Sequence, residues 1–266
     1  MDLSNENVLH IKKDGIEYLQ FRRLLEFDNL INCYTLRPLN YNKKTLTNQE
    51  LEENYNNICK ALEIERKNLI RPHQSHTDCI ENVDRTDVKY TDVDGFITNK
   101  PNIDLTLSFA DCTPILLYDP VKKVIANIHS GWRGTVQKIG KKAVEKMNKD
   151  YQSNPQDIIA CIGPCIGKCH FEVKEDVKDI FEQTFSYLGR NDDIIEKDSL
   201  EKYKIDTTLI NRLLLENSGL LPENIIESKI CTVCNSQIMH SYRVDKEKSG
   251  RNITILGMKG EQNVTK

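Results

Sequence analysis

The stretch that most constrains this chain is residues 104–131, DLTLSFADCTPILLYDPVKKVIANIHSG. It holds three apolar runs, Leu105–Phe109, Ile115–Tyr118 and Val124–Ile128. Continuous runs such as VIANI read as strands buried on both faces. Asp119-Pro120 followed by Val121-Lys122-Lys123 supplies the turn between the last two runs. Further strands are expected at 157–161, 225–230 and 253–256, and Lys13-Asp14-Gly15 between apolar stretches predicts a hairpin over 11–19.

Helical spacing takes over between the strands. Val136, Ile139, Ala143, Val144 and Met147 predict a helix starting near Thr135, which can serve as its N-cap. Val177, Ile180, Phe181 and Phe185 predict another over 175–188, stopped by Gly189. A third starts at Asp206, shows Leu209, Ile210, Leu213 and Leu214 on one face, and ends at Gly219. With no repeat, no low-complexity linker and no composition break, residues 1–266 are expected to form a single α/β domain.

Composition narrows the function classes. A length of 266 residues can bury a sizeable core, and 29% charge with 8 Pro and 12 Gly excludes disordered and collagen-like chains. A net charge of -3 argues against a nucleic-acid partner. No apolar run approaches the roughly 18 residues of a membrane span. The opening MDLSNENVLHIKKDG lacks the apolar core of a signal peptide, so a cytoplasmic protein is expected, with its 9 cysteines reduced.

Three segments carry metal-capable or charged side chains beside strands: PHQSHTDC at 72–79, SFADCTP at 108–114 and NIHSGWRGT at 127–135. The candidates are His76, Cys112 and His129, with His73, Asp111 and Arg133 beside them. Two imidazoles and one thiolate leave one tetrahedral position open, which is the pattern of a catalytic zinc. For each residue alone, a satisfied histidine or a buried thiol is the alternative. Arg133 stands between the single tryptophan, Trp132, and Gly134 at a helix start. That placement suits anion binding, with an exposed turn arginine as the alternative.

The segments FADCTPILLYDP, IHSGWRGT, CIGPCIGKCHFEV and SYRVDKEKSGRNITIL resemble, in this order, the motifs of the YfiH/laccase-domain family, the multifunctional purine nucleoside phosphorylases. The resemblance runs from about residue 72 to 256. It implies an α/β/β/α layered sandwich with mixed sheets and one zinc ion, Zn2+, held by His76, Cys112 and His129. It also implies phosphorolysis of adenosine, inosine and S-methyl-5'-thioadenosine, with purine nucleosides and phosphate as partners, together with adenosine deamination. Older names for the family are polyphenol oxidase and laccase. The N-terminal Thr-Arg element of the family is matched most nearly by YTLRPLNYNKK at 34–44. Arg37 is therefore the expected second substrate or phosphate contact, although Pro38, Leu39 and Asn40 replace the usual loop. Met239, His240 and Val244 also depart from the pattern.

Roles follow as expectations. A zinc-activated water would attack C6 of adenine, with Asp111 as proton shuttle; the alternatives for Asp111 are anchoring loop N–H groups or orienting a ligand. Arg133 would contact the phosphate. Gln74 would hydrogen-bond base or sugar, or be a plain loop amide.

The other cysteines divide. Cys161, Cys165 and Cys169 recur every four residues ahead of His170, but Gly163-Pro164 and Gly167 break any helix that would align them. They are expected in a pocket wall rather than at a second metal. Cys231 and Cys234 form a CxxC pair that no second pair completes, so buried thiols or a reversible disulfide are expected. Cys33, Cys59 and Cys79 read as core residues.

The same residues suit two other enzymes less well. A copper-dependent polyphenol oxidase needs more imidazoles than His10, His73, His76, His129, His170 and His240 provide, and Met147, Met239 and Met258 lie far from the ligand motifs. A cysteine hydrolase would use Cys112 as nucleophile and His129 as base, the same atoms that would hold a metal. A binding module with no chemistry would not need loops of this polarity.

Overall fold

In the computed structural model, which describes residues 1–199 and 201–260, the 104–131 stretch supplies the centre of two facing sheets. Strand Asp104–Phe109 lies inside a six-stranded sheet with Val8–Lys13, Ile16–Phe21, Leu30–Thr35, Asn252–Met258 and Leu69–Ile70. Strands Thr113–Asp119 and Val124–Ser130 form a hairpin at the middle of the second, with Ile159–Ile162 and Ile225–Glu227 on one side and Gly95–Thr98 and Ile80–Asn82 on the other. The hairpin register pairs Thr113 with Ser130, Pro114 with His129 and Asp119 with Val124. Its turn is held by Asp119 Oδ1, which accepts the N–H groups of Val121 and Lys122 at 2.8 and 2.9 Å.

Side chains alternate across the second sheet as a period of two requires. Leu116, Tyr118 and Ile125 face the first sheet and pack with Leu105, Leu107 and Phe109. Ile115, Leu117, Ala126 and Ile128 face outward onto Ala143, Val144 and Met147 of helix Ile139–Tyr151. The first sheet turns Ile31, Cys33, Ile253 and Ile255 outward onto helix Asn48–Leu62. This is the expected α/β/β/α sandwich in one α/β domain with mixed sheets. Each fully buried aliphatic side chain in these layers contributes about 1.5–3 kcal/mol. Between the sheets, Asn127 donates to the Leu105 carbonyl at 2.9 Å and accepts from the Thr254 hydroxyl at 2.9 Å, which locks the two layers in register.

A smaller lobe grows from residues 163–217. Strands Glu172–Val173, Tyr203–Ile205 and Ile195–Lys197 make a three-stranded sheet beside helices Glu175–Phe185 and Thr207–Glu216. Its core of Phe171, Phe181, Phe185 and Ile205 also takes up Trp132.

Several elements differ from expectation for local reasons. The hairpin is longer, Val8–Lys13 with Ile16–Phe21, and turns on Asp14 and Gly15, both at positive φ. The helix expected from Thr135 is two pieces, Trp132–Val136 and Ile139–Tyr151, broken where Lys138 is left-handed at φ 61°. Thr135 does not cap; its buried hydroxyl meets Ser130 Oγ at 2.9 Å. The strand expected over 225–230 ends at Glu227, ahead of Lys229 at φ 57°. Residues 155–157 are a 3-10 turn that precedes the strand Ile159–Ile162. Among the described residues, no helix is long and apolar enough to cross a membrane.

Candidate active site

The site forms where chain ends of both sheets meet. His129 is the inward-facing penultimate residue of strand Val124–Ser130, and its ring lies 5.3 Å from that of Phe109. Cys112 is on the short link that carries the chain from strand Asp104–Phe109 in one sheet to Thr113–Asp119 in the other. His76 projects from the loop after Pro72–His73. Asp111 and His76 both hold left-handed backbone, at φ 80° and 63°, a conformation that costs about 1–3 kcal/mol unless its surroundings enforce it.

These residues converge. Cys112 Sγ is 3.8 Å from His76 Nε2, the two imidazole centroids are 4.9 Å apart, and one ligand atom from each of the three residues lies within 4.8 Å of the others. Gly131 makes the approach possible. A Cβ there would sit 3.0 Å from His76 Cδ2 and 3.1 Å from Cys112 Sγ, inside the cage itself. The glycine is needed for space, because its φ of -66° suits any residue.

Asp94, fully buried, supports the cage from behind. Its Oδ1 is 2.7 Å from His129 Nδ1, and its Oδ2 accepts from the Thr77 amide at 2.7 Å and the Thr77 hydroxyl at 2.9 Å. The ring orientation of His129 is thereby fixed with Nε2 directed at the site. The electrostatics are tightly coupled. Burial pushes the Asp94 carboxyl up, yet the His129 hydrogen bond and charge and the Thr77 donors hold it at about 2. Burial likewise opposes ionisation of Cys112, but the charge of His129 and hydrogen bonds from both imidazoles bring the thiol down to about 6. His129, against its own burial, is raised to about 9 by the Cys112 thiolate and Asp94. The thiolate is the form a metal or an electrophile meets.

The cage opens into a cleft of about 880 Å³. Its lining mixes cationic side chains, among them Lys43, Arg71, Arg133 and Arg251, with apolar ones, among them Phe171, Val177 and Ile253. Arg71 Nη1 is buried with no hydrogen-bond partner. Burial and the neighbouring Arg71 charge depress the Lys43 pKa, so an anion between the two would relieve both.

The other residues singled out from sequence take varied places. Arg133 lines the cleft, is exposed, and stacks over Trp132 at 4.3 Å, while Trp132 packs on Phe181 of the small lobe. Asp111 lines the cleft, but both of its oxygens are engaged: Oδ1 accepts the Thr232 hydroxyl and Oδ2 the Arg243 amide, each at 2.6 Å. That is the loop-anchoring alternative for this carboxylate. The Gln74 amide is also engaged, donating to the Ser108 carbonyl at 3.0 Å and accepting from the Ser108 amide and hydroxyl, each at 2.8 Å. Arg37 lies outside the cleft lining, donating to Asp245 at 2.6 Å and to the Met239 carbonyl at 3.0 Å. His73 is exposed at the rim. Asp94, Gly131, Lys43 and Arg71 were not singled out from sequence. Gly131, inside HSGWRG, and Lys43, inside YTLRPLNYNKK, lie in segments whose pattern could point to them.

Comparison with known proteins gives the chain's relatives. A family model described as multi-copper polyphenol oxidoreductase laccase matches residues 37–259. The purine nucleoside phosphorylase YlmD of Bacillus subtilis is 38% identical over 167 residues, 62% of this chain and 59% of that protein. The purine nucleoside phosphorylase of Bacteroides thetaiotaomicron is 36% identical over 60% of this chain, and the match spans 58% of its length. The chain thus spans less than two thirds of these two relatives. A purine nucleoside phosphorylase of Clostridium acetobutylicum is 31% identical over 93% of this chain and 99% of its own. Among solved structures, the hypothetical protein YfiH of Bacillus licheniformis superposes with a TM-score of 0.83 at 28% identity, covering 97% of this chain and 98% of that one.

Proposed function

Because this chain belongs to the laccase-domain family, several of whose curated members are named purine nucleoside phosphorylases, we propose that it is a zinc-dependent purine nucleoside phosphorylase. Its substrates are adenosine, inosine and S-methyl-5'-thioadenosine, and the same cleft deaminates adenosine. The observation that carries this reading is the three-donor cage of His76, Cys112 and His129, opening into a cleft lined by both cationic and apolar side chains. The donor set fits zinc: one thiolate and two imidazoles, one of them backed by a carboxylate, packed around a glycine whose Cβ would obstruct the centre. When bound, the metal supplies Lewis-acid chemistry near neutral pH.

The protein's own groups do the rest. Arg133 and the Arg71–Lys43 pair bind phosphate, and Trp132 holds the Arg133 guanidinium in place. The Phe171 side of the cleft receives the purine. Asp94 holds the Nδ1 proton of His129, so that Nε2 faces the cage. Asp111 acts as a positioning residue, tying the Cys112 link to Thr232 and the Arg243 backbone. Gln74 keeps its loop on Ser108.

The copper-oxidase reading draws support from the family description alone. His10 Nδ1 accepts from the Leu3 amide at 3.2 Å, His170 sits in another cluster, and buried His240 bonds the Leu39 carbonyl at 2.9 Å. No array of imidazoles beyond the cage pair exists among the described residues to hold several coppers. The cysteine-hydrolase reading draws on the lowered Cys112 pKa. It predicts activity in metal-free protein.

The test is to assay inosine and adenosine with and without phosphate, alongside metal quantification. Phosphate-dependent release of hypoxanthine or adenine, lost together with zinc in His129→Ala, supports the proposal. A folded, zinc-loaded protein that leaves every purine nucleoside untouched overturns it. Deamination without any phosphate-dependent step removes the anion role of Arg133 and leaves the cage intact.

A further inference from the structure

We propose that Cys169, His170, Cys231 and Cys234 form a second, closed zinc site that clasps two loops of the cleft wall together. The sequence separates these residues into an adjacent pair and a distant CxxC, and their spacing alone argued against a metal. Folding joins the two halves. Cys165 and Cys231 form a parallel backbone bridge, with the Thr232 amide donating to the Cys165 carbonyl at 2.9 Å, and this lays the 228–241 segment against the 163–173 loop.

Four of the six donor–donor distances approach the edges of a tetrahedron, and all lie within 4.8 Å. With Zn–S of about 2.3 Å and Zn–N of about 2.0 Å, the edges of a tetrahedral site are about 3.8 Å between sulfurs and about 3.5 Å between sulfur and nitrogen. Here Cys169 Sγ and Cys234 Sγ are 3.8 Å apart. His170 Nδ1 lies 3.1, 3.7 and 3.6 Å from the sulfurs of Cys169, Cys231 and Cys234. A single imidazole nitrogen thus faces all three sulfurs, the arrangement of a Cys₃His set. The Gly167 amide donates to Cys231 Sγ at 3.3 Å, a bond that favours the thiolate.

Binding balances simply. Three thiols lose their protons to solvent, His170 binds as the neutral ring, and the filled site carries one net negative charge. Arg243 faces it, donating to the carbonyls of His170 and Glu172 at 2.9 and 3.3 Å. With four protein donors no position remains for substrate, so the role is structural. The loops it would clasp are those that bring Ile166, Phe171 and Arg243 to the cleft.

The test uses the full chain, purified with reductant and without chelator. About two zinc equivalents per chain are expected, against about one if the cleft cage alone fills. The double variant Cys169→Ser/Cys234→Ser should lose about one equivalent, and Cys112→Ser should lose the other. With Co2+ as the probe, the sulfur-to-metal charge-transfer band should fall by roughly three quarters in the double variant, because three of four thiolate bonds go. The unmodified chain gives a readout independent of the variant's folding: Cys169, Cys231 and Cys234 should resist alkylation until a chelator is added. One equivalent in zinc-supplemented protein with these three cysteines alkylated at once overturns the proposal. So does a Cys169–Cys234 disulfide in protein quenched directly from cells.

Discussion

The cage of His76, Cys112 and His129 and the cluster of Cys169, His170, Cys231 and Cys234 use the same two residue types to opposite ends. The first places two imidazoles and one thiolate at sheet ends, backs His129 with a buried carboxylate, and faces a cleft. The second gathers three thiols and one imidazole on two loops, with Cys169 and Cys234 exposed. Three donors leave a coordination position for chemistry, and four close it. Donor number and the rigidity of the carrying elements, rather than the presence of Cys and His, separate a reactive centre from a clasp.

The comparison can be broken most forcefully at the cage. Cys112→Ser or His129→Ala should lower nucleoside turnover on the order of 10³-fold and remove one metal equivalent, with the loop cluster unaffected. Metal analysis beside the activity assay checks both halves. Asp94→Asn keeps the three donors but weakens the support of His129. It should cost about 10–100-fold in metal affinity, read by competition with a chromogenic chelator. Gly131→Ala tests whether the cage is as close-packed as its contacts of 3.0 and 3.1 Å indicate. An overpacking penalty of about 1–3 kcal/mol should appear as weaker metal binding rather than lost folding.

Asp111→Asn reaches both regions, since Asp111 adjoins Cys112 and bonds Thr232, inside the CxxC turn. An amide cannot accept from the Thr232 hydroxyl and the Arg243 amide at both positions, so a stability loss of about 1–3 kcal/mol is expected in thermal or urea unfolding. A proton-transfer role would instead flatten one limb of the pH–rate profile.

The mildest perturbation is pH, applied to metal-free protein. The Cys112 thiol sits at about 6 rather than 9.0, and His129 at about 9 rather than 6.5. Between these limits the unfolded chain holds the proton on sulfur and the native chain holds it on nitrogen. Folding then moves a proton without net uptake, and the pair's contribution to stability is flat across neutral pH. As pH falls from 6.5 to about 6 the unfolded histidine takes up a proton before the native thiolate does, so stability drops over that narrow window and is level below it. Thiolate absorbance that disappears near pH 6 in wild type, and is absent in Cys112→Ser, checks the assignment.

How far the sequence revealed the two regions differs as much as their chemistry. Cage residues sit in short motifs beside strands whose apolar runs are plain in the chain, so His76, Cys112 and His129 could be named. The layered sandwich followed from the same resemblance. In the loop cluster, the regular spacing of Cys161, Cys165 and Cys169 says little: Cys161 is a core residue on a strand, Cys165 turns its thiol to Thr208 at 3.2 Å, and the Cys169 thiol is the one that joins the sulfurs of the CxxC. What joins the halves is a backbone bridge between loops, which no spacing rule encodes. Asp94 was invisible for a related reason, being a lone acid whose partner is fixed by tertiary contact. The helix Asn48–Leu62 carries a local signature in the chain, since Thr47 and Glu50 form a capping box.

The pairing of Pro114 with His129 in the central hairpin has a wider consequence. A strand slipped by one residue turns every side chain to its opposite face. His129 would then point among Ile115, Leu117 and Val144 under the helix, far from Cys112 and Asp94. The same slip would expel Asn127 from its bonds to Leu105 and Thr254. Misregistered chains therefore cannot carry a partly working centre. The interior amide and His129 share one strand, so the register that satisfies Asn127 is also the register that brings His129 to Cys112 and Asp94.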